Sequence, residues 1–417
     1  MGRMRIAFAL HGSRGDVQPA AAVAAELVRR GHSVRLAVAA DLVESIARTM
    51  IPTTELCPST ADLLASPLIR NDLKSRNPRT RFRALREVSA YGVEQSERVM
   101  AELADESDVL VTGLLAQDRA ATIAESRGIA FVPLHYCPVR VSGSVSPVYR
   151  DVPQLVSRVA WTLADRVMWR STRGADRRLR ARLGLPPDRR PFSRRLREDG
   201  LPEIQVYDPV LFPDLPREWG SQRPFVGFLC PDKEIRTAIN DGLDRTDAAI
   251  GFACSGPPPV YVGFGSMRTP VDRMEFVVTT LLDRGLRVIA HTDLDLPITD
   301  SRLFRVSGTV DHEALLPHCR AAVHHGGAGT TGSVLRAGIP SAVGWFSADQ
   351  PIWAAALRRC GAGTGSRLSR MSADDLSVLT DPGAQAAARR IAERLLPPHH
   401  AVDVACEIIT TAAASTT

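Results

Sequence analysis

Short apolar runs alternate with segments of helical periodicity along most of this sequence. Near its start, the mostly apolar run Met4–Leu10 predicts a buried strand. The residues between this run and Ala20 predict a loop. Apolar positions over Ala20–Arg30 then follow the helical spacing, Gly31 ends that segment, and His32–Ala39 predicts the next strand. A strand–helix–strand order of this kind predicts a parallel βαβ unit.

The alternation continues in two series. Strands are predicted at Val109–Thr112 and Ile129–Leu134, with a helix at Leu114–Arg127 between them. A second series starts at Val260–Gly263, after Pro213–Pro259, which is rich in Pro, Gly and Asp and predicts a connecting region. The pattern therefore predicts an α/β fold with two doubly wound, Rossmann-like domains.

Some stretches have less regular patterns. Residues 58–90 predict irregular, arginine-rich structure, and residues 140–200 predict mixed loops and helices. Ile51–Leu56 predicts the start of a connection, and Pro224–Cys230 predicts a short strand.

Length and composition favour a soluble globular protein. A chain of 417 residues is long enough for two domains, and its 44% hydrophobic and 24% charged residues are typical of globular proteins. There is no apolar run of 18 residues, so no transmembrane helix is predicted, and the N-terminus predicts a strand rather than a signal peptide. Seven scattered cysteines without a CxxC pair indicate reduced thiols in a cytoplasmic protein.

Positive charge is concentrated in one segment. The formal net charge is only +6, yet residues 165–197 hold twelve arginines. A solvated helix followed by a loop explains this segment, and so does contact with an anionic acceptor or a membrane surface. Trp169 and Phe192 are its only aromatic residues, which argues against a nucleic-acid partner.

The stretch Val323–Gly338 (VHHGGAGTTGSVLRAG) carries the clearest chemistry. An apolar run leads into a glycine-rich turn, and a helical segment follows. Backbone N–H groups and the helix dipole favour an anion at such a turn. The hydroxyl of Thr330 can cap the helix and donate to a phosphate oxygen, and His325 can donate from a ring nitrogen.

Several motifs together resemble one family. The strings His325–Thr330 (HGGAGT), Ala337–Pro340 (AGIP) and Asp349–Pro351 (DQP) resemble the donor-binding signature of GT-B nucleotide-sugar glycosyltransferases. The likeness is to the vancomycin-group (glycopeptide) enzymes first and to sterol-type glucosyltransferases next. Gly12–Pro19 (GSRGDVQP) and Pro257–Ser266 (PPPVYVGFGS) extend it over nearly the whole chain.

The resemblance implies a division of the chain. Residues 1–215 form an acceptor-binding domain, 216–256 a linker region and 257–396 a donor-binding domain. Residues 397–417 form a terminal helix that returns to the first domain. The two domains face each other across a cleft.

The resemblance also implies a donor site and the chemistry that it performs. Its donor-binding positions are Ser13, Ser266, Val310, His325, Gly327, Ala328, Gly329, Thr330, Asp349 and Gln350. Donors in the glycine turn stabilise charge on the leaving nucleoside diphosphate, and Asp349 and Gln350 hold the sugar hydroxyls. Ser333 stands where plant UDP-sugar enzymes carry a ribose-binding Glu, which permits a dTDP donor without excluding UDP. The sugar nucleotide is a co-substrate, and neither a metal nor a cofactor is expected.

Asp16 is the predicted general base. It follows the first strand, at the sheet edge where ligands bind in such folds, and a carboxylate there can take the proton from an acceptor hydroxyl. Considered alone, Asp16 is also explained as a helix cap. His11 is a rival base that matches no catalytic position of the family.

Two other patterns point elsewhere. Gly327, Gly329 and Gly332 satisfy the dinucleotide fingerprint GxGxxG, which would make the protein an NAD-type oxidoreductase, but the longer histidine–glycine string favours the glycosyltransferase. Asp293 and Asp295 form a DxD that is interpreted as a polar loop rather than a metal site.

The predicted function is therefore an inverting glycosyltransferase acting on a hydrophobic natural product such as a glycopeptide or polyketide aglycone. A lipid acceptor, sterol or glycolipid, and a non-catalytic nucleotide-sugar-binding protein are the alternatives.

Overall fold

The first of two parallel β-sheets is built from the N-terminal half of the chain. The computed structural model describes residues 2–70, 72, 77–147, 152–240 and 244–416. The strands of the first sheet are β1 (Arg5–Leu10), β2 (Ser33–Ala39), β3 (Thr53–Cys57), β4 (Val109–Thr112), β5 (Ala130–His135) and β6 (Ile204–Gln205).

The second sheet is built from the C-terminal half. Its strands are β7 (Val260–Gly263), β8 (Val288–His291), β9 (Leu303–Val306), β10 (Ala321–His324), β11 (Ser341–Trp345) and β12 (Gly363–Arg367). Strands β7 and β10 are buried along their whole length, and β8 and β11 are buried except at their last residue, as expected for parallel strands covered on both faces.

The two sheets share one strand order. The first runs β3–β2–β1–β4–β5–β6, and the second runs β12–β11–β10–β7–β8–β9, so the first and fourth strands of each series are central neighbours. The connections reverse direction between these two strands, and open α/β sheets bind ligands in the crevice at that point. The predicted pair of doubly wound, Rossmann-like units is confirmed.

Helices flank both sheets. Those of the N-terminal half are α1 (Arg14–Arg29), α2 (Val43–Ala47), α3 (Thr60–Ala65), α4 (Pro67–Arg70), α5 (Pro78–Ala90), α6 (Val93–Asp105), α7 (Gln117–Arg127), α8 (Gln154–Arg182), α9 (Phe192–Glu198), α10 (Leu215–Trp219) and α11 (Lys233–Ile239). Those that follow are α12 (Asp244–Cys254), α13 (Val271–Asp283), α14 (His312–Leu315), α15 (Ala328–Arg336), α16 (Gln350–Arg359), α17 (Pro382–Ala392) and α18 (Pro398–Thr416). None of the helices in the described ranges is long and apolar enough to cross a membrane.

The last helix completes the core of the first sheet. Buried residues of α18, Ala405, Cys406 and Ile409 among them, pack in one cluster with Ile6 of β1 and Val23 of α1. A fully buried aliphatic side chain stabilises the fold by about 1.5–3 kcal/mol. The C-terminal segment is therefore part of the hydrophobic core beneath the N-terminal sheet.

The first helix begins earlier than predicted. It starts at Arg14 instead of Ala20 and contains Pro19. Ser13 and Asp16 form a capping pair at its N-terminus, since the Asp16 carboxylate accepts a hydrogen bond from the Ser13 backbone N–H. The loop expected between Leu10 and Ala20 is thus mostly helix.

Other predictions from the less regular stretches were wrong. The described residues of 58–90 are largely helical, as α3, α4 and α5, while 71 and 73–76 lie outside the described residues. Thr53–Cys57 is a strand, and Pro224–Cys230 contributes only a bridge from Phe225 to Gln205. By contrast, the mixture of loops and helices expected over 140–200 is confirmed in the described residues, where α8, a helix of 29 residues, and α9 are joined by loops.

Strand β12 had no counterpart in the predictions. It contains Gly363 and Gly365, and glycine is depleted in strands. A Cβ on Gly363 would lie 2.5 Å from the Ser341 carbonyl oxygen, and one on Gly365 would lie 2.5 Å from the Ala354 Cβ. Close packing therefore requires the two glycines, and because glycine is uncommon in strands, their presence made β12 hard to predict.

Candidate active site

The glycine turn lies between β10 and α15. His324 ends the strand, and its Nδ1 accepts a hydrogen bond of 3.1 Å from the Gly326 N–H. Gly327 is the N-cap residue of α15, and Ala328, Gly329 and Thr330 form its first turn. The cap is thus Gly327, and the prediction that Thr330 caps the helix was wrong. The first-turn N–H groups of a helix have no intrahelical partner and can bind an anion.

The His325 ring packs over this turn. A Cβ on Gly327 would lie 2.5 Å from His325 Nε2, and one on Gly265 would lie 3.0 Å from its Cε1. A side chain at Gly327 would therefore displace the ring, and one at Gly265, whose φ is +58°, would also be strained. Burial lowers the pKa of His325 to about 4, and its Nδ1 has no hydrogen-bond partner among the described residues. The ring is neutral near pH 7 and can offer one N–H donor to an anion.

Asp349 and Gln350 lie in the turn between β11 and α16. The Gln350 Oε1 accepts hydrogen bonds from the backbone N–H groups of Phe346, at 2.7 Å, and Ser347, at 3.2 Å. The Trp353 Nε1–H donates to the Asp349 carboxylate at 2.8 Å. Burial raises the pKa of Asp349 despite this bond. Gln350 thus holds the shape of the turn, while Trp353 orients the carboxylate.

The remaining predicted donor positions have different environments. Ser266 is exposed, after β7, whereas the Val310 side chain is buried between β9 and α14. Ser333 is nearly buried, and its hydroxyl donates to the Gly329 carbonyl at 3.2 Å. Arg336 also reaches the Ser333 hydroxyl, at 3.4 Å.

Asp16 lies on the facing edge of the first sheet. Its carboxylate accepts from the Ser13 N–H at 2.8 Å and from the Ser13 hydroxyl at 3.1 Å. Ser13 therefore binds Asp16 in this structure. A Cβ on Gly12, whose φ is +116°, would lie 2.3 Å from the carboxylate. Burial raises the pKa of Asp16 to about 6, and the charge of Asp349 adds to this increase. The two Ser13 hydrogen bonds act in the other direction and lower the pKa.

His11 is a weaker base than Asp16. Burial, together with the charge of Arg119, lowers the pKa of His11 to about 4. Its Nδ1 is buried and has no partner within the described ranges. A neutral His11 can donate or accept a hydrogen bond beside Asp16, but a group with a pKa of about 6 is the stronger proton acceptor.

Sequence reasoning did not single out two further polar groups. Thr112 ends β4 and Tyr136 directly follows β5, at the same sheet edge as Asp16. Both hydroxyls are buried, and neither has a partner in the part of the chain that the structure describes. Burial raises the pKa of Tyr136 far above its usual value, and the nearby Asp16 charge adds to this. Their position directly at the ends of predicted strands was the available signal.

The two sheet edges meet across one cleft. Arg14, in the first turn of α1, donates to the Thr309 Oγ1 at 3.0 Å and to the Asn240 Oδ1 at 2.9 Å. Burial raises the pKa of Cys137 well above its ordinary value, and the charges of Asp349 and Asp16 both contribute. The carboxylates of the two halves are therefore close enough to influence the same groups.

The DxD sequence has protein partners on both acids. Asp293 accepts from the Gly308 N–H at 3.1 Å, and Asp295 pairs with Arg305 at 3.6 Å. Among the residues that the structure describes, no group of three His, Cys, Asp or Glu side chains is placed to hold a metal ion.

Two doubly wound sheets that meet at a glycine-rich turn and a buried carboxylate are typical of nucleotide-dependent group-transfer enzymes with two Rossmann-like units. Residues 6–132 match the glycosyltransferase family 28 N-terminal domain. Residues 297–410 match the C-terminal domain of erythromycin biosynthesis protein CIII-like proteins.

Relatives cover most of the chain. An uncharacterised glycosyltransferase of Mycobacterium tuberculosis is 34% identical over 98% of this chain and 99% of its own. Glycosyltransferase GtfE and the vancomycin aglycone glucosyltransferase, both of Amycolatopsis orientalis, are 31% and 30% identical over 86% of this chain and 85% of theirs. The chain belongs to the GT-B glycosyltransferases and is an enzyme of their antibiotic-type branch.

Solved structures share the fold. The glycosyltransferase of kitacinnamycin superposes with a TM-score of 0.69 at 18% identity, covering 98% of this chain and 99% of that one. The calicheamicin glycosyltransferase CalG4 superposes with a TM-score of 0.68 at 16% identity, with coverage of 98% and 99%.

Proposed function

We propose that this enzyme transfers a hexose or deoxyhexose from a dTDP- or UDP-sugar to a hydroxyl group of a hydrophobic natural product, with inversion at the anomeric carbon. The observation that carries the proposal is the pairing of Asp16, whose pKa is raised to about 6, with the turn of His325 and Gly327 across the cleft. One side supplies a base, and the other supplies donors for a departing anion.

The base acts first on the acceptor. The Asp16 carboxylate accepts the proton of the acceptor hydroxyl while that oxygen attacks the anomeric carbon. The bond from the anomeric carbon to the diphosphate oxygen breaks, and its electron pair leaves with the nucleoside diphosphate. Because attack comes from the face opposite the leaving group, a single displacement inverts the configuration.

The turn stabilises the departing charge. First-turn N–H groups of α15, the neutral His325 ring and the Thr330 hydroxyl supply hydrogen bonds where negative charge grows on the β-phosphate. The Asp349 carboxylate, oriented by Trp353, accepts hydrogen bonds from sugar hydroxyls, and Gln350 shapes the loop that presents it. Ser266 and the backbone of Val310 complete the donor site on the phosphate and nucleobase sides.

The nucleotide is proposed to be dTDP or UDP. Ser333 has a short side chain whose hydroxyl donates to the Gly329 carbonyl. This position therefore supplies no acidic group to bind a ribose 2′-hydroxyl. Among structures with the same fold, SsfS6 of Streptomyces sp. SF2575 is complexed with thymidine diphosphate and VinC with dTDP. Both observations support a thymidine nucleotide and leave UDP as the alternative.

The acceptor is proposed to be a glycopeptide or polyketide aglycone. One relative is named a vancomycin aglycone glucosyltransferase, and this supports a bulky natural product. A sterol or glycolipid acceptor is the alternative. We place the reaction in the cytoplasm, since all seven cysteines have free thiols.

Calorimetric titration of the purified protein with dTDP, UDP and NAD tests the donor site. Tighter binding of dTDP supports a deoxysugar donor, and tighter binding of UDP supports a glucosyl-type donor. Binding of NAD alone would overturn the interpretation of the glycine turn. Turnover of Asp16→Ala against wild type then separates an enzyme from a non-catalytic nucleotide-sugar-binding protein.

A further inference from the structure

The outward face of α8 exposes a run of apolar side chains. Leu155 is 74% exposed, Leu163 is 60% exposed and Val159 is 59% exposed. Most of the run recurs at helical spacing, so these side chains share one side of the helix over its first four turns. The apolar residues that α8 exposes on this side are Leu155, Val156, Val159, Leu163 and Val167.

The same side of α8 becomes basic toward its C-terminal half. Arg166, Arg170, Arg173 and Arg177 are exposed and continue the helical spacing of the apolar run. In the described part of the chain, none of these four forms an ion pair with a carboxylate. Other arginines of the segment do, such as Arg180 with Glu125 and Arg190 with Asp199. The outward face thus combines uncovered apolar area with uncompensated positive charge.

The inner side of α8 is tied to the acceptor side of the cleft. The Ser157 hydroxyl and the Trp161 Nε1–H both donate to the Val145 carbonyl, at 2.9 Å and 2.7 Å. Val145 lies in the loop that follows β5 and starts near Tyr136 and Cys137, beside Asp16. A surface that binds the outside of α8 would therefore lie next to the acceptor side of the active site.

We infer that the outward face of α8 docks onto the surface of a bilayer that contains anionic lipids. The leucines and valines enter the boundary between headgroups and acyl chains, and the arginines bind lipid phosphates. Arginine suits this contact because its planar guanidinium can bind phosphate oxygens in pairs. Docking would bring the acceptor side of the cleft close to hydrophobic molecules dissolved in the membrane.

Charge complementarity favours this occupant over a second copy of the chain. A two-fold dimer through the α8 face would place the same patch on both sides of the interface. The unpaired arginines of one copy would then meet those of the other without carboxylates to offset them. An anionic bilayer supplies both the apolar environment and the opposite charge.

Vesicle co-sedimentation of the full-length protein tests the inference. The probes are vesicles of phosphatidylcholine alone and of phosphatidylcholine mixed with phosphatidylglycerol. Binding is expected only to the mixed vesicles, and it should weaken as salt is added. Each arginine near an anionic surface contributes roughly a fivefold gain in partitioning. Arg170→Gln combined with Arg173→Gln should therefore lower the partition coefficient by an order of magnitude or more.

Matched variants separate docking from general surface effects. Leu163→Glu combined with Val159→Glu should abolish vesicle binding, whereas Val271→Glu, at a residue 43% exposed on α13, should leave it unchanged. Arg217→Gln, whose side chain is 85% exposed, is the matched charge control. Absence of binding to the mixed vesicles would overturn the inference. So would a dimer in light scattering that Leu163→Glu dissociates. Neither measurement uses glycosyl transfer, so the result does not depend on the proposed reaction.

Discussion

The central crevices of the two sheets share a topology but carry different chemistry. In the first sheet, the first turn of α1, which follows the first strand β1, holds the proposed base, Asp16. In the second sheet, the corresponding loop after β7 carries the exposed Ser266, and the loop after the fourth strand, β10, holds the glycine turn. One edge presents buried side chains, and the other presents backbone N–H groups.

The difference shows what strand order decides and what it leaves open. Strand order fixes where the crevice lies, because the connections diverge there. The local sequence decides what fills it. A base needs a titratable side chain, whereas a site for a departing diphosphate needs fixed dipoles that carry no proton of their own. Burial accordingly raises the pKa of Asp16 to about 6 and lowers that of His325 to about 4, which leaves a basic carboxylate facing a neutral donor.

Removing the base should have the largest effect. Asp16→Asn keeps an oxygen that can accept from Ser13 but lacks a proton acceptor of sufficient strength. We expect kcat to fall about 10²–10⁴-fold, with nucleotide binding unchanged. Steady-state kinetics and calorimetry measure the two quantities. Asp272→Asn, at a first-turn aspartate of α13, is the matched control and should retain activity. A wild-type rate in Asp16→Asn would remove Asp16 from the mechanism.

Adding a methyl group to the glycine turn should weaken nucleotide binding at the edge of the second sheet. The Cβ of Gly327→Ala would lie 2.5 Å from His325 Nε2 and must displace the ring. A displaced ring cannot donate to the diphosphate, and a hydrogen bond to a charged group contributes about 1.5–3 kcal/mol, so the affinity for the nucleoside diphosphate should fall roughly tenfold or more. Gly251→Ala, in α12, meets no atom within 4 Å and is the control. Equal affinity in Gly327→Ala and wild type, measured by calorimetry, would contradict this assignment.

The pH dependence of kcat/KM should follow the ionisation of Asp16, a titratable group at the edge of the first sheet. Asp16 accepts a proton only when ionised, and its pKa is raised to about 6. The value of kcat/KM should therefore fall about tenfold for each pH unit below 6. Asp349→Asn removes a negative charge that helps to raise the pKa of Asp16, so the midpoint of the profile should move to lower pH. A midpoint that stays in place would mean that the two carboxylates do not interact.

The smallest effect is expected at Tyr136. Tyr136→Phe removes a buried hydroxyl without a protein partner in the described residues, so the fold should tolerate it. If that hydroxyl binds the acceptor, kcat/KM for the acceptor should fall by up to tenfold, the equivalent of a net hydrogen bond of about 0.5–1.5 kcal/mol, and nucleotide affinity should not change. Tyr91→Phe, at an exposed tyrosine on the same half, is the control. A loss of nucleotide affinity instead would place Tyr136 on the donor side.

Much of the fold could be predicted where burial imposes a period. Runs such as Ile6–Leu10 and Ala321–Val323 are apolar because parallel strands are covered on both faces, and they define the two series. The predicted element boundaries were wrong where a specific contact, rather than the apolar pattern, decides where an element begins. The Asp16–Ser13 hydrogen bond starts α1 before Pro19, and the glycines of β12 are required by close packing.

The sequence by itself determined the family, the glycine turn and the position of Asp16 after the first strand, because these depend on residue type and short spacing. Only the tertiary structure decided that the Tyr136 and Thr112 hydroxyls are buried without partners among the described residues, that Gln350 binds backbone N–H groups, and that no described residue covers the apolar side of α8. Burial and electrostatic coupling depend on contacts between residues far apart in the chain, and periodicity within one segment does not encode those contacts.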